Sequence, residues 1–230
     1  MNSLVQESIF FGMVISLLGY EIGLFVKKKL KIAIFNPLLI SVIIIISFLV
    51  IFHVDYESYD SGAKYLSYLM TPATVCLAVP LYQQLQLLRK NVKAVMFGIF
   101  SGVVTSLTSV LVLSKLFSLN HQQYVTMLPK SITTAIGIGL SEEMGGIVTI
   151  TVASIGITGI IGNMIAEVVC KIFRITEPVA KGIAIGTAAH AMGTAKALEM
   201  GEIEGAMSSL AIAVAGLLTV IMASFYANMM

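Results

Sequence analysis

Stretches of about 20 residues with at most one charged side chain recur along this chain, the length a helix needs to cross a hydrocarbon layer about 30 Å thick. A soluble fold cannot absorb them. Hydrophobic residues make up 57% of the sequence and charged residues 11%, whereas soluble domains carry about 25% charged residues. In lipid every backbone polar group needs an internal partner, so the expected fold is all-α, a polytopic helical bundle in a membrane. The net charge of +2, with lysines scattered between apolar runs, excludes a nucleic-acid-binding surface. Cys76 and Cys170 lie far apart in apolar runs, without zinc or disulfide spacing, and read as packing residues.

Basic clusters orient the spans, because loops rich in Lys and Arg stay cytoplasmic. Glu7 and Glu21 but no Lys or Arg precede Lys27, so the basic start of a cleavable signal peptide is missing and the first span is expected to be retained. That span, Ser8 to Val26, ends at Lys27, Lys28, Lys29 and Lys31 inside. The second, Ile32 to Phe52, ends at Asp55, Tyr56, Glu57, Tyr59 and Asp60, an acidic, aromatic stretch suited to the outer interface. The third, Tyr65 to Leu88, is expected to be kinked or broken at Pro72 and Pro80, and leads to Arg89, Lys90 and Lys93 inside. The fourth, Val92 to Phe117, carries Gly98 and Gly102 at a spacing that admits a close neighbouring helix. Residues 1–120 thus read as four spans within a single transmembrane domain of residues 1–230.

Residues 121–230 read differently, because glycine, threonine and proline punctuate shorter apolar runs. Leu128 to Leu140 is too short to cross as a regular helix and is expected to be broken or re-entrant. Ile147 to Phe173 crosses and ends at Lys171 and Arg174 inside. Ala180 to Leu198 is again short, and Gly205 to Tyr226 makes the last span. The total is about six full spans plus two short re-entrant or broken segments. Twice a short segment precedes a long span, entering from opposite sides, which is the pattern of an inverted repeat.

Two segments concentrate chemistry. In Pro129, Lys130, Ser131, Ile132, Thr133, Thr134, Ala135, Ile136, Gly137 a helix-starting proline, Pro129, stands among hydroxyls, and a half-helix beginning there would aim free N–H groups at an anion such as a carboxylate. Ser131, Thr133 and Thr134 are the candidate binding groups; alternatively these hydroxyls bond back to their own helix. In Gly186 to Lys196 the candidates are His190, Gly193, Thr194 and Lys196. Ionisable groups at membrane depth mark substrate or proton pathways, although a neutral histidine bonded within the bundle is the plainer reading of His190. Lys196 lies about 120° round a regular helix from His190, and a lysine reaching for the interface accounts for it equally well.

Glu142 and Glu143 follow the first short segment and read either as coupling or gating carboxylates or as solvated loop charges. Glu202 reads as a loop charge. Asn163, polar within a long span, is expected to face the interior of the bundle and joins Glu142 and Glu143 as a candidate coupling or gating residue. Thr74 in the third segment, and Tyr82, Gln83 and Gln84 after it, read as binding groups or solvated interface residues. A phosphate-cradling loop, a metal-spaced His/Glu or Cys cluster and a nucleophile elbow are all missing, so no cofactor, metal or catalytic residue is expected and the chain does not read as an enzyme.

The ordered runs Ala73-Thr-Val-Cys-Leu-Ala-Val-Pro-Leu-Tyr, Leu128-Pro-Lys-Ser-Ile-Thr-Thr, Ser141-Glu-Glu-Met-Gly-Gly, Gly186-Thr-Ala-Ala-His-Ala-Met-Gly-Thr-Ala-Lys and Gly201-Glu-Ile-Glu-Gly-Ala resemble the characteristic stretches of the LrgB/CidB family over nearly the whole chain. The family often has proline where Ala135 stands, serine for Ala189, glycine for Ala191 and arginine for Lys196; the last exchange keeps the charge and loses the planar fork. The resemblance implies a multi-pass protein of the bacterial inner membrane with a small LrgA/CidA-type membrane partner. It implies either an antiholin-like regulator of murein hydrolase activity and lysis, or a carrier of small organic anions, monocarboxylates of the pyruvate and glycolate class; coupling of that transport to protons is a further expectation from the residues themselves. Broken helices, a hydroxyl-rich half-helix and an intramembrane histidine favour the carrier; a scaffold for the small subunit would need none of them. A homodimer suits a bundle of this size, and no residue specifies one.

Overall fold

The structure, a computed structural model, describes residues 10–30 and 36–230, and the side chains of all of these but Met70 and Thr74. Glu7, Lys31 and the expected starts of the first two spans at Ser8 and Ile32 lie outside the described residues, as does the Thr74 side chain. Among the described residues the secondary structure is entirely helical. By length and composition four helical stretches can cross a membrane: Tyr56–Gln83, Leu85–Leu116, Val148–Ile172 and Glu202–Ala227. The chain divides into two compact units, Met1–Cys76 and Leu77–Met230.

In the first unit, α1 (Phe11–Leu30) packs against α2 (Pro37–Ile51) and α3 (Tyr56–Ser67) through glycines. A methyl at Gly12 would collide with the backbone at Tyr59, and one at Gly23 would meet the Pro37 backbone. Asn36 caps α2, accepting from Leu38 N–H at 2.8 Å, and Asp55 caps α3 by accepting from Glu57 N–H at 3.1 Å. The acidic, aromatic stretch read as an outer interface is therefore the start of a helix, because its aspartate is a capping residue. The short α4 (Met70–Cys76) completes the unit.

The second unit holds α5 (Ala78–Gln83), α6 (Leu85–Leu116), α7 (His121–Met127) with a 3₁₀ turn over Leu128–Ser131, α8 (Thr134–Glu143), α9 (Val148–Ile172), α10 (Pro178–Met200) and α11 (Glu202–Ala227). Pro72 is the third residue of α4 and Pro80 the third of α5, first-turn positions where a missing N–H strands no carbonyl of the same helix. The cluster Arg89, Lys90 and Lys93 lies within the first turns of α6, which starts seven residues before the expected span. A cation-bearing end need not stop a helix that runs past the apolar layer.

Two segments fold back on themselves. After the 3₁₀ turn, Ile132 (φ −108°, ψ 176°) and Thr133 (φ −66°, ψ 145°) are extended, and α8 packs against α9. Hydroxyls pin the arms: Thr126 Oγ1 accepts from Ile147 N–H at 2.8 Å, Thr151 donates to the Thr126 carbonyl at 2.9 Å, and Ser141 bonds Thr151 at 2.7 Å. The Met144–Gly146 turn that leads into α9 uses a positive φ of 75° at Gly145.

In α10 the helical dihedrals fail at Ala189 (φ −129°, ψ 16°) and His190 (φ 41°, ψ −138°). On a straight helix Ile185 and Gly193 would be about 12 Å apart. Here a methyl on Gly193 would stand 3.0 Å from the Ile185 carbonyl oxygen, so α10 is a helical hairpin with its tip at Ala189–His190. Both arms lie on α11. A methyl at Gly186 would strike the Ser208 backbone, while Thr194 shares a 2.6 Å bond with the Ser208 hydroxyl.

Glycine here sets backbone spacing, so Gly186→Val is expected to cost about 1–3 kcal/mol by overpacking. Gly156→Ala, where a methyl meets nothing within 4 Å, serves as the neutral control. Thermal unfolding of the purified protein in detergent compares the two.

Candidate functional site

The face of α6 that carries Gly98, Gly102 and Ser106 brings the two hairpin tips together, since residues four apart lie on one side of a helix. Gly98 faces Ile183, and Gly102 abuts the Thr187 methyl, both on the incoming arm of α10. One turn further on, Ser106 Oγ bonds Ser131 Oγ at 3.1 Å, at the tip of the first hairpin. Lys130 Nζ donates to Ser131 Oγ at 3.0 Å and reaches Ser106 Oγ at 3.4 Å. The ion pairs among the described residues do not include Lys130.

These residues line a cleft of about 1130 Å³ between α6, the first hairpin tip, α9 and the incoming arm of α10. Leu87, Asn91, Glu177 and Ala180 line it where α6 and α10 begin, next to the basic cluster of α6, and Ser106, Lys130, Ser131 and Thr187 line it farther along those helices. Hydroxyls of Ser101, Thr105, Ser109 and Thr158 add to the wall. The site can therefore offer one ammonium and several hydroxyl donors to a small anion, and a bond from the ammonium to a carboxylate is charge-assisted.

The sequence-derived candidates divide. Ser131 stands in the cleft beside Lys130. Thr133 is the N-cap of α8 without a side-chain cap bond, and Thr134 opens that helix. His190 is 4% exposed, and its Nε2 donates to the Ile155 carbonyl on α9 at 3.0 Å; a carbonyl only accepts, so that nitrogen carries the proton. The ring fits because position 159 is glycine: a methyl there would stand 2.7 Å from Cε1. Asn163 donates to the Met192 carbonyl at 2.7 Å, just past the tip, so α9 grips the second hairpin at two points. Gly193 and Thr194 are buried in the packing of α10, with Thr194 donating to the His190 carbonyl at 3.1 Å.

Lys196 is ion-paired with Glu167 at 2.6 Å and Glu199 at 3.2 Å, at the open end of the hairpin. Glu142 and Glu143 are exposed at the end of α8, and Glu202 is exposed at the start of α11. Glu204, by contrast, is buried and 3.9 Å from Lys181. Tyr82 and Gln83 are exposed, while Pro129 lies within the 3₁₀ turn. Sequence reasoning did not single out Lys130, Ser106 or Thr187. The signal for Lys130 was present, a lysine in an otherwise uncharged, hydroxyl-rich run; Ser106 and Thr187 gain meaning only from the fold.

Removing the imidazole takes away one of the two ties between the tip and α9, at a residue whose φ of 41° already strains a side-chain-bearing backbone. His190→Ala is expected to lower stability by about 1–3 kcal/mol, measurable as a reduced melting temperature in detergent.

The family model of the LrgB-like family matches residues 16–229. The chain is 38% identical over 213 residues, 92% of this chain and 93% of each relative, to antiholin-like protein LrgB of Bacillus mycoides (strain KBAB4), Bacillus cereus (strain B4264) and Bacillus anthracis (strain CDC 684 / NRRL 3495). No solved structure matches.

Proposed function

The chain belongs to the LrgB-like family of bacterial membrane proteins, and from that premise we propose that it carries small monocarboxylates of the pyruvate and glycolate class across the inner membrane. One observation bears most of the weight: the Lys130 ammonium sits between the Ser106 and Ser131 hydroxyls in the cleft, outside every ion pair among the described residues. A cation at membrane depth is costly to keep without a counter-charge, and a carboxylate cargo supplies one. Lys130, Ser106 and Ser131 bind the anion, while His190, Asn163, Gly193 and Thr194 position the second tip against α9 and α11.

The order of elements supports the same reading. A hairpin of α7 and α8 precedes α9, and a hairpin of α10 precedes α11, which suits two re-entrant hairpin-plus-span repeats of opposite orientation. Carriers place substrate where such broken helices meet near the midplane. Gating or proton coupling is assigned in this reading to Glu142 and Glu143, which are exposed at the end of α8, and to the Lys196–Glu167–Glu199 cluster. A small LrgA/CidA-type protein is the expected partner, and a homodimer fits a chain of this size.

The second reading, an antiholin-like regulator of murein hydrolase activity, takes its support from the names of the relatives. Uptake of radiolabelled pyruvate and glycolate into proteoliposomes separates the two, with and without the small partner and an imposed pH gradient. The carrier reading predicts saturable uptake, and in Lys130→Gln a rise of about 10- to 100-fold in the half-saturating concentration, the worth of a charge-assisted bond. Absence of flux under every condition favours the regulator.

A further inference from the structure

Buried hydroxyls within a helix commonly bond back to the carbonyl one turn earlier, and this protein shows the habit at Thr126 (to Gln122, 2.6 Å), Thr194 (to His190, 3.1 Å) and Ser209 (to Gly205, 2.9 Å). Thr187 departs from it. The residue is 6% exposed, and among the described residues its Oγ1 is the buried side-chain oxygen left without a partner. Valine has the same shape and no unmet donor, so packing alone gives no reason for threonine here.

The position of Thr187 supplies a reason. It lines the cleft beside Gly102, and Gly102 is one turn of α6 from Ser106, which bonds the Lys130–Ser131 tip. Four residues of helix rise about 6 Å, so the two groups are separated by roughly the length of a two- or three-carbon acid with a hydrogen bond at each end. A methyl on Gly102 would stand 2.7 Å from Thr187 Cγ2 and 3.9 Å from Oγ1, so only glycine leaves this side chain its room. Helical threonines divide between two rotamers, and rotation about Cα–Cβ exchanges the methyl with the hydroxyl.

We propose that the Thr187 hydroxyl donates to a second oxygen of the bound acid, so that the cleft holds its cargo at two points. The carboxylate lies at Lys130, Ser106 and Ser131, and the hydroxyl or carbonyl oxygen on the neighbouring carbon lies at Thr187. This inference rests on the carrier reading above. Thr187 is then the residue that separates 2-oxygenated acids from plain ones, because a site built to bond an oxygen discriminates against analogues that lack it.

The test is competition by unlabelled acids against labelled pyruvate uptake in proteoliposomes. In the wild type, glycolate and lactate should compete at least about 10-fold better than acetate and propionate. In Thr187→Val that advantage should fall to about 3-fold or less, with no drop in melting temperature, while Thr187→Ser keeps it. Gly102→Ala, which displaces Thr187 without touching Lys130, should reproduce the loss and decides the matter if Thr187→Val does not fold. Saturable wild-type flux without the preference, or a preference that survives in the folded Thr187 and Gly102 variants, overturns this proposal alone. A wild type with no saturable flux for any acid overturns the carrier reading and this proposal with it.

Discussion

A helix broken inside a bilayer strands backbone donors and acceptors that hydrocarbon cannot satisfy, and the architecture of the second unit follows from how this chain replaces the lost partners. At the α10 tip Asn163 of α9 takes up the Met192 carbonyl, and the His190 ring adds a second tie by donating its N–H to the Ile155 carbonyl. At the base of the first hairpin they come from Thr126, Ser141 and Thr151: Ser141 and Thr151 bond each other, and the two threonine hydroxyls bond nearby backbone groups. Each tie joins a hairpin to α9, so that α9 is the element against which both broken segments are fixed. Its residue Ile155 serves both sides, with its carbonyl on His190 and its side chain in the space left by Gly137.

Close approach makes those ties reachable. Lipid tails are as apolar as leucine, so helices in a membrane associate through fit and polar contact rather than expulsion of water. Gly98 and Gly102 on α6, Gly159 and Gly162 on α9, and Gly182 and Gly186 on α10 each lie where a methyl would press on a neighbouring element. The result is a pair of hairpin tips held beside one face of α6, with a cleft whose polar residues come from several elements. The same arrangement surrounds Lys130 with the Ser106 and Ser131 hydroxyls, which lower the cost of keeping a cation among apolar helices.

Much of this was legible in the sequence. The all-helical membrane character followed from the apolar runs, and the short segments around Ser131 and His190 announced their breaks through length, glycine and hydroxyl content. Helix ends were less legible: α6 begins at Leu85 because charged and amide residues are acceptable on a helix that extends beyond the apolar layer. His190 stood out by type, yet only the fold shows its ring bonded to a backbone carbonyl. Lys130 was visible as the one charge in its run, whereas the unmet hydroxyl of Thr187 cannot be seen without knowing what surrounds it. Partners that are distant in sequence, such as Ser106 and Ser131, carry no local signal at all.

If cargo binds in the cleft where the hairpin tips meet, it should shield a cysteine placed there. In a background with Cys76 and Cys170 replaced, Ala188→Cys puts a thiol on the exposed cleft wall beside Thr187. Its labelling rate by a thiol reagent in membranes would be measured with and without pyruvate. Slowing by pyruvate that disappears when Lys130 is also changed to Gln is the predicted result. A labelling rate indifferent to pyruvate, in a protein shown by the same assay to be accessible, would mean that pyruvate does not bind in this cleft.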